Sequence, residues 1–175
     1  MAVRKRKQGG KTIYFLTLLA ILIRLLPHAP NFAPLGALAL LAGMTGDKRK
    51  LYLPLGAVFA TDLVLGFYSG FVWVYLSYGL LFFTGYSMRK AQGMKKTIAL
   101  PLAGSVLFYF VSNFGVWASG SMYPPTEAGL VQCYLAALPF FRNTLASDLI
   151  YFNAFALLAA WLGQFALPKL AANKT

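Results

Sequence analysis

Six apolar runs, at 12–27, 33–46, 51–68, 71–88, 97–118 and about 143–167, occupy most of this 175-residue chain. A helix needs about 20 residues, within a range of about 17 to 25, to cross the hydrocarbon of a bilayer. The second run is short for that. It is also rich in small residues, with Ala39/Gly43 and Ala42/Gly46 spaced four apart. Such spacings let two helix backbones approach closely.

Charge decides whether the short run crosses. "MAVRKRKQGGK", "GDKRK" at 46–50, "RKAQGMKK" at 89–96 and "PKLAANKT" at the C-terminal end hold all but two of the 16 basic residues. Six crossings put all four clusters on one side; if 33–46 stopped short, the two middle clusters would change faces. Clustering of Lys and Arg on the cytoplasmic side therefore favours six spans. The expected fold is an all-α integral membrane protein with six transmembrane helices and both termini cytoplasmic, a multi-pass protein of the cell's inner membrane. It forms one domain over 1–175, with residues 1–11 as a basic cytoplasmic tail. Composition agrees: 59% of residues are hydrophobic and only 11% charged, against about a quarter charged in soluble domains.

The net charge of +12 sits in short links between apolar runs, not along a stripe. That distribution excludes nucleic acid as the partner and leaves the lipid bilayer. A single cysteine, Cys133, excludes an intramolecular disulfide framework. The opening "MAVRKRKQGGKTIYFLTLLAILIRLL" has the layout of a signal peptide. Arg24 interrupts its apolar stretch, however, and "PHAPNFAPLG" offers no clean small-residue cleavage site. It is read as the first span.

On the outer side this topology leaves "PHAPN" (27–31), "YSG" (68–70) and a long segment over 119–142 containing "SMYPPT" and "LVQCYLAALPFF". Loops of that length are functional or disordered, and its apolar content argues against disorder. The composition predicts a structured, partly helical outer loop between helices five and six, with a helix at 128–138 over or dipping into the outer mouth.

Two basic residues escape the clusters, Arg24 and Arg142, and two of the four acids, Asp62 and Asp148, fall within spans. At about 1.5 Å of rise per residue, Arg24 lies about 18 Å and Asp62 about 16 Å above the inner ends of their spans. Asp148 lies about 8 to 10 Å below the outer end of its own. These three share a level. A charge within the bilayer costs a few kcal/mol unless it is paired or solvated. Two readings follow: structural pairing of Arg24 with Asp62 or Asp148, or a polar cavity open to the outside, with Arg142 and Glu127 above it.

Ser105, Tyr109, Asn113 and Trp117 recur every four residues in the fifth span and so fall near one helix face. Polar groups on one face of a lipid-embedded helix suggest a cavity wall; an interfacial aromatic belt accounts for Trp117 but poorly for Asn113. Asn31, Asn143, Asn153 and Tyr151 extend the polar set. His28 and Cys133 occur once each and offer a candidate ligand pair for a cobalt or iron tetrapyrrole. The blander assignments are a loop histidine and a small apolar filler. No cofactor is expected. No H-E-x-x-H, G-x-S-x-G or P-loop is present, so the chain is not expected to be an enzyme. Six short spans with few interior charges form no evident pore, and secondary transporters usually carry two pseudo-symmetric halves.

Six short helices, a small-residue second helix, the acid in "ATDLVLGFY" and a long structured loop before helix six resemble the S components of energy-coupling factor (ECF) transporters. These are small membrane proteins that capture vitamins and other micronutrients near the outer face. "PNFAPLGALALLAG", "SNFGVWASGSMYPPT" and "GLVQCYLAALPFFRNTLASDL" are similar to an uncharacterised bacterial family described as transport proteins, over about residues 24–160. The resemblance implies a substrate pocket beneath the outer loops and a partner transmembrane subunit with two cytoplasmic ATPases. The A-x-x-x-A docking motif common on the first helix of that class is missing from "FLTLLAILIRLL". Docking would then use the small-residue surface of span two, or the protein acts alone.

The expected function is a membrane transport component that binds a small organic micronutrient in an outward-facing polar and aromatic pocket. Arg24, Asn31, Asp62, Tyr109, Asn113, Trp117, Arg142 and Asp148 are its candidate substrate contacts. The alternatives are a non-transporting membrane scaffold or assembly partner and, third, a membrane enzyme built on Asp62 and Asp148.

Overall fold

The computed structural model describes residues 2–93 and 95–162. Its regular elements are all helical: α1 (Ala2–Leu25), α2 (Leu35–Met44), α3 (Tyr52–Leu65), α4 (Phe71–Ser87), α5 (Leu100–Ala118) and α6 (Glu127–Trp161). A 3₁₀ turn at Lys48–Leu51 leads into α3, and a π-helical turn at Lys95–Ala99 leads into α5. Two helical stretches, 96–118 and Glu127–Trp161, are long and apolar enough to cross a membrane. The basic cluster "PKLAANKT" and the end of the sixth apolar run, 163–167, lie outside the described residues.

The short second run folds as a ten-residue helix about 15 Å long, and every residue of it is buried. It touches all five other helices, so it forms the centre of the bundle. The small residues serve this packing. A Cβ on Gly43 would overlap the Phe82 carbonyl and lie 2.7 Å from the Tyr86 nitrogen. One on Gly85 would overlap the Leu40 carbonyl. Backbone therefore meets backbone where α2 crosses α4, as small-residue spacing allows. The expectation that this surface docks a partner is corrected: it is consumed inside the bundle.

A helix of ten residues covers only about half of a 30 Å hydrocarbon layer. The chain between α1 and α2 is tied to α6. Asn143 Nδ2 donates to the Pro30 carbonyl (3.0 Å) and Ser147 Oγ to the Ala33 carbonyl (2.8 Å). Those two α6 residues are four apart and share a face. Asn31 takes the left-handed conformation (φ 59°) within this descending segment.

Two boundaries differ from the sequence reading. The helix expected at 128–138 is not a separate element over an outer mouth. It is the first third of α6, which runs unbroken for 35 residues through Pro139, about 52 Å. Only residues 119–126 connect α5 to α6. At the other end of the chain, α1 starts at Ala2, so residues 2–11 of the basic segment are continuous with the first apolar helix.

The start of α6 follows from its sequence. Thr126 adopts an extended backbone and its Oγ1 accepts a hydrogen bond from the Gly129 amide at 3.1 Å, satisfying one of the otherwise orphaned N–H groups. Glu127 adds a negative charge to the first turn, where it is favoured. Thr126→Ala is expected to cost about 1 kcal/mol, read as a lowered thermal unfolding midpoint in detergent.

Candidate functional site

The buried charges near the C-terminal end of α1 are paired. Arg24 Nη2 lies 2.8 Å from Asp62 Oδ1, Arg24 also bonds the Thr61 hydroxyl, and its Nη1 donates to the Val58 carbonyl at 3.3 Å. The second carboxylate oxygen, Asp62 Oδ2, accepts from the Tyr75 hydroxyl at 3.0 Å. Asp62 is 1% exposed and Arg24 14%. Each carboxylate oxygen thus has a donor, the arrangement a buried ion pair requires. Of the two acids within reach by level, Asp62 takes Arg24.

Asp148 has a different environment. Asp148 is 2% exposed, Ser105 Oγ lies 2.7 Å from its Oδ2, and its carboxylate lies against Gly36 in the first turn of α2. It therefore sits at the start of α2, where unsatisfied N–H groups and the helix dipole favour an anion. Gly36 makes that approach possible, since a Cβ there would overlap the carboxylate, with Asp148 Cγ at 2.9 Å. Among the described residues no cation pairs with Asp148.

Above the α2 N-terminus lies a cavity of about 450 Å³. The shortness of α2 creates it, because α1, α4, α5 and α6 continue past the level where α2 begins. Its walls include Arg24, His28, Asn31, Gly36, Tyr68, Tyr78, Phe108, Tyr109, Ser112, Asn113, Phe141, Thr144 and Asp148. Buried Gly36, Tyr78 and Asp148 mark its depth, whereas His28, Asn31, Tyr68 and Phe140 are exposed at its rim. Volumes of this order hold a small organic molecule. Six aromatic side chains contribute, including the pairs Tyr78–Phe108 (centroids 5.2 Å apart) and Tyr109–Phe141 (4.8 Å).

The structure gathers Arg24, Asn31, Tyr109, Asn113 and Asp148 on this cavity. It leaves Asp62, Trp117 and Arg142 off its wall. Asp62 is committed to Arg24 and Tyr75. The Trp117 indole N–H donates to the Pro124 carbonyl at 3.0 Å, pinning the 119–126 connection instead. Arg142 is exposed and, among the described residues, makes no hydrogen bond or ion pair. Nor do Asn143, Asn153 and Tyr151 extend the lining. Asn143 holds Pro30, Asn153 Nδ2 donates to Thr97 and Leu149 carbonyls (3.0 and 2.8 Å), and Tyr151 packs on Phe32 and Phe155. Of the stripe on α5, Ser105 turns to Asp148, and Tyr109 donates to the Tyr134 carbonyl at 2.7 Å.

His28 and Cys133 are separated in role. The His28 ring nitrogens lie 2.9 and 3.1 Å from the Ala29 and Arg24 carbonyl oxygens, while the buried Cys133 thiol donates to the Asn113 carbonyl at 3.3 Å. Among the described residues no three His, Cys, Asp or Glu side chains cluster as metal ligands would.

Tyr68, Tyr78, Phe108, Ser112, Phe141 and Thr144 are cavity residues that the sequence reading does not pick out. For the two on α6, Phe141 and Thr144, the signal exists. Ala137, Phe141, Thr144 and Asp148 follow a 4-3-4 spacing, one helical stripe, and all four line the cavity. The stripe is hidden only if 128–138 is read as a separate helix.

No curated protein and no solved structure matches the chain. A family model does match, over residues 5–170, a span that takes in all of the bundle but the first residues of α1, and the whole cavity wall. The chain therefore belongs to DUF6580, a family of unknown function.

Proposed function

We propose that this protein is a six-span transport component of the inner membrane. It binds a small organic nutrient in the cavity above α2 and mediates its uptake. The observation that carries this reading is the cavity itself: about 450 Å³, lined by polar and aromatic side chains from α1, α4, α5 and α6 and from the α1–α2 and α3–α4 connections. An assembly scaffold needs no such space. The two acids do not converge on a reactive centre, since both oxygens of Asp62 are engaged elsewhere, and this weighs against an enzyme.

Topology follows from the charge pattern. The basic links at 46–50 and 89–93 lie at the helix ends opposite the cavity, where Lys48 and Arg89 sit over the Tyr86 ring. With Lys and Arg on the cytoplasmic side, the cavity faces outward. Partnership with an ECF-type transmembrane subunit and ATPases is compatible with this layout. Its docking surface lies on helices other than α2, which has no exposed residue.

Asn113 supplies a direct test. Its amide nitrogen donates to the Tyr109 carbonyl at 2.8 Å, the residue lines the cavity, and among the described residues no donor engages its amide oxygen. A native mass spectrum of protein purified gently from its own membranes is expected to reveal a bound small molecule. Asn113→Ala is expected to weaken its retention about 3- to 10-fold, the worth of one hydrogen bond. A parent protein that is empty, or that carries only another membrane protein, would transfer the reading to the scaffold.

A further inference from the structure

Besides its tyrosines, the acidic and basic side chains on or beside the cavity among the described residues are Arg24, Asp62, His28 and Asp148. Arg24 and Asp62 neutralise one another. His28 is at the exposed rim, with both ring nitrogens against backbone carbonyls. Asp148 remains, buried in the depth of the cavity. The start of α2 offers it about half a positive charge and Ser105 offers a hydroxyl, but no side-chain cation reaches it among the described residues. An ionised carboxylate in that position is compensated only in part, and a positive group entering the cavity would complete the compensation. The surrounding walls suit the same guest. Tyr78, Phe108, Tyr109 and Phe141 present ring systems, and aromatic faces attract a desolvated organic cation while gaining nothing comparable from an anion.

From this juxtaposition we infer that the cavity selects a small organic cation, an amine or quaternary ammonium, with its charge directed at Asp148 and its apolar part among the aromatic rings. The inference rests on the cavity being a ligand site and adds the class of ligand.

The test separates charge from shape. Choline and protonated phenethylamine are titrated into the detergent-solubilised full chain beside their neutral counterparts, 3,3-dimethylbutan-1-ol and 2-phenylethanol, and the anion phenylacetate. Isothermal calorimetry reads affinity, and the shift in unfolding temperature reads stabilisation of the folded state. Each cation is expected to bind at least about tenfold more tightly than its neutral counterpart, and Asp148→Asn is expected to abolish that ratio. Phe141→Leu retains the carboxylate and removes one ring. It is expected to reduce choline affinity more than that of the alcohol, so the inference stays testable if Asp148→Asn does not fold. Equal or tighter binding of the alcohols or of phenylacetate would overturn the cation class and leave the cavity as the site of another ligand. If none of the five probes binds while the native spectrum carries a neutral or anionic molecule, the cation class falls alone. If the spectrum is empty as well, both readings fall.

Discussion

Arg24→Met is expected to lower stability by about 3 to 5 kcal/mol, the cost of leaving a buried charge without its partner. Asp62 is 1% exposed, and in the variant its carboxylate would retain only the Tyr75 hydroxyl. Asp62→Leu strands Arg24 in the same way, with one difference. The guanidinium is 14% exposed and retains the Thr61 hydroxyl and the Val58 carbonyl, so the loss should fall at the lower end of that range. The double variant Arg24→Met/Asp62→Leu removes both charges and fills similar volume. Such replacements of buried pairs are often neutral, and the double variant is expected to recover most of the lost stability. Thermal unfolding of the four proteins in one detergent closes the mutant cycle. If the single losses simply add in the double variant, the two side chains are not energetically coupled, and the pairing between α1 and α3 does not contribute as argued.

That pair was legible before any coordinates because its logic is one-dimensional. Rise per residue fixes height along a helix, and few residues could neutralise an acid at that height. Azimuth is harder. Positions four apart advance by about 400°, leaving about 40° of drift per step and about 120° over three. Ser105 and Trp117, the ends of the α5 stripe, therefore diverge: Ser105 meets Asp148, while Trp117 leaves the cavity to hold Pro124. Asn113 and Tyr109, in the middle, stay on the wall. The other departure is the helix at 128–138, which ends immediately before Pro139 in the sequence. A proline removes one N–H and strains the preceding turn, and in sequence it reads as a helix end. In the structure α6 continues through it. Contacts on both sides of the proline hold the helix to α5: Tyr134 lies 5.5 Å and Phe141 4.8 Å from the Tyr109 ring. Tertiary packing overrode a local signal, and the stripe that carries Asp148 onto the cavity was lost with it.

The short second helix was visible as an anomaly, and its consequence reaches the site. Since α2 stops short, the cavity depends on how deeply α2 is seated, and that depth is set by its backbone contact with α4. Gly85→Ala is expected to destabilise the bundle by about 3 kcal/mol or more, at the upper end of overpacking costs. Its new methyl would meet the Leu40 carbonyl, whose carbon and Cα lie at 2.8 and 2.9 Å. Backbone cannot swing aside as a flexible side chain can. Gly43→Ala meets the Phe82 carbonyl in the same crossing and should behave alike. Gly79→Ala, on the same helix, has nothing within 4 Å of its new Cβ. It should be neutral or slightly stabilising, because Ala is favoured over Gly in a helix interior. Thermal unfolding of the three variants checks the ranking. Equal tolerance at all three positions would mean that α2 and α4 do not touch backbone to backbone. In Gly85→Ala protein that still folds, ligand retention should fall with stability, because displacement of α2 carries Gly36 away from Asp148 and opens the base of the cavity. Retention unchanged despite the lost stability would locate the binding site away from the α2 N-terminus.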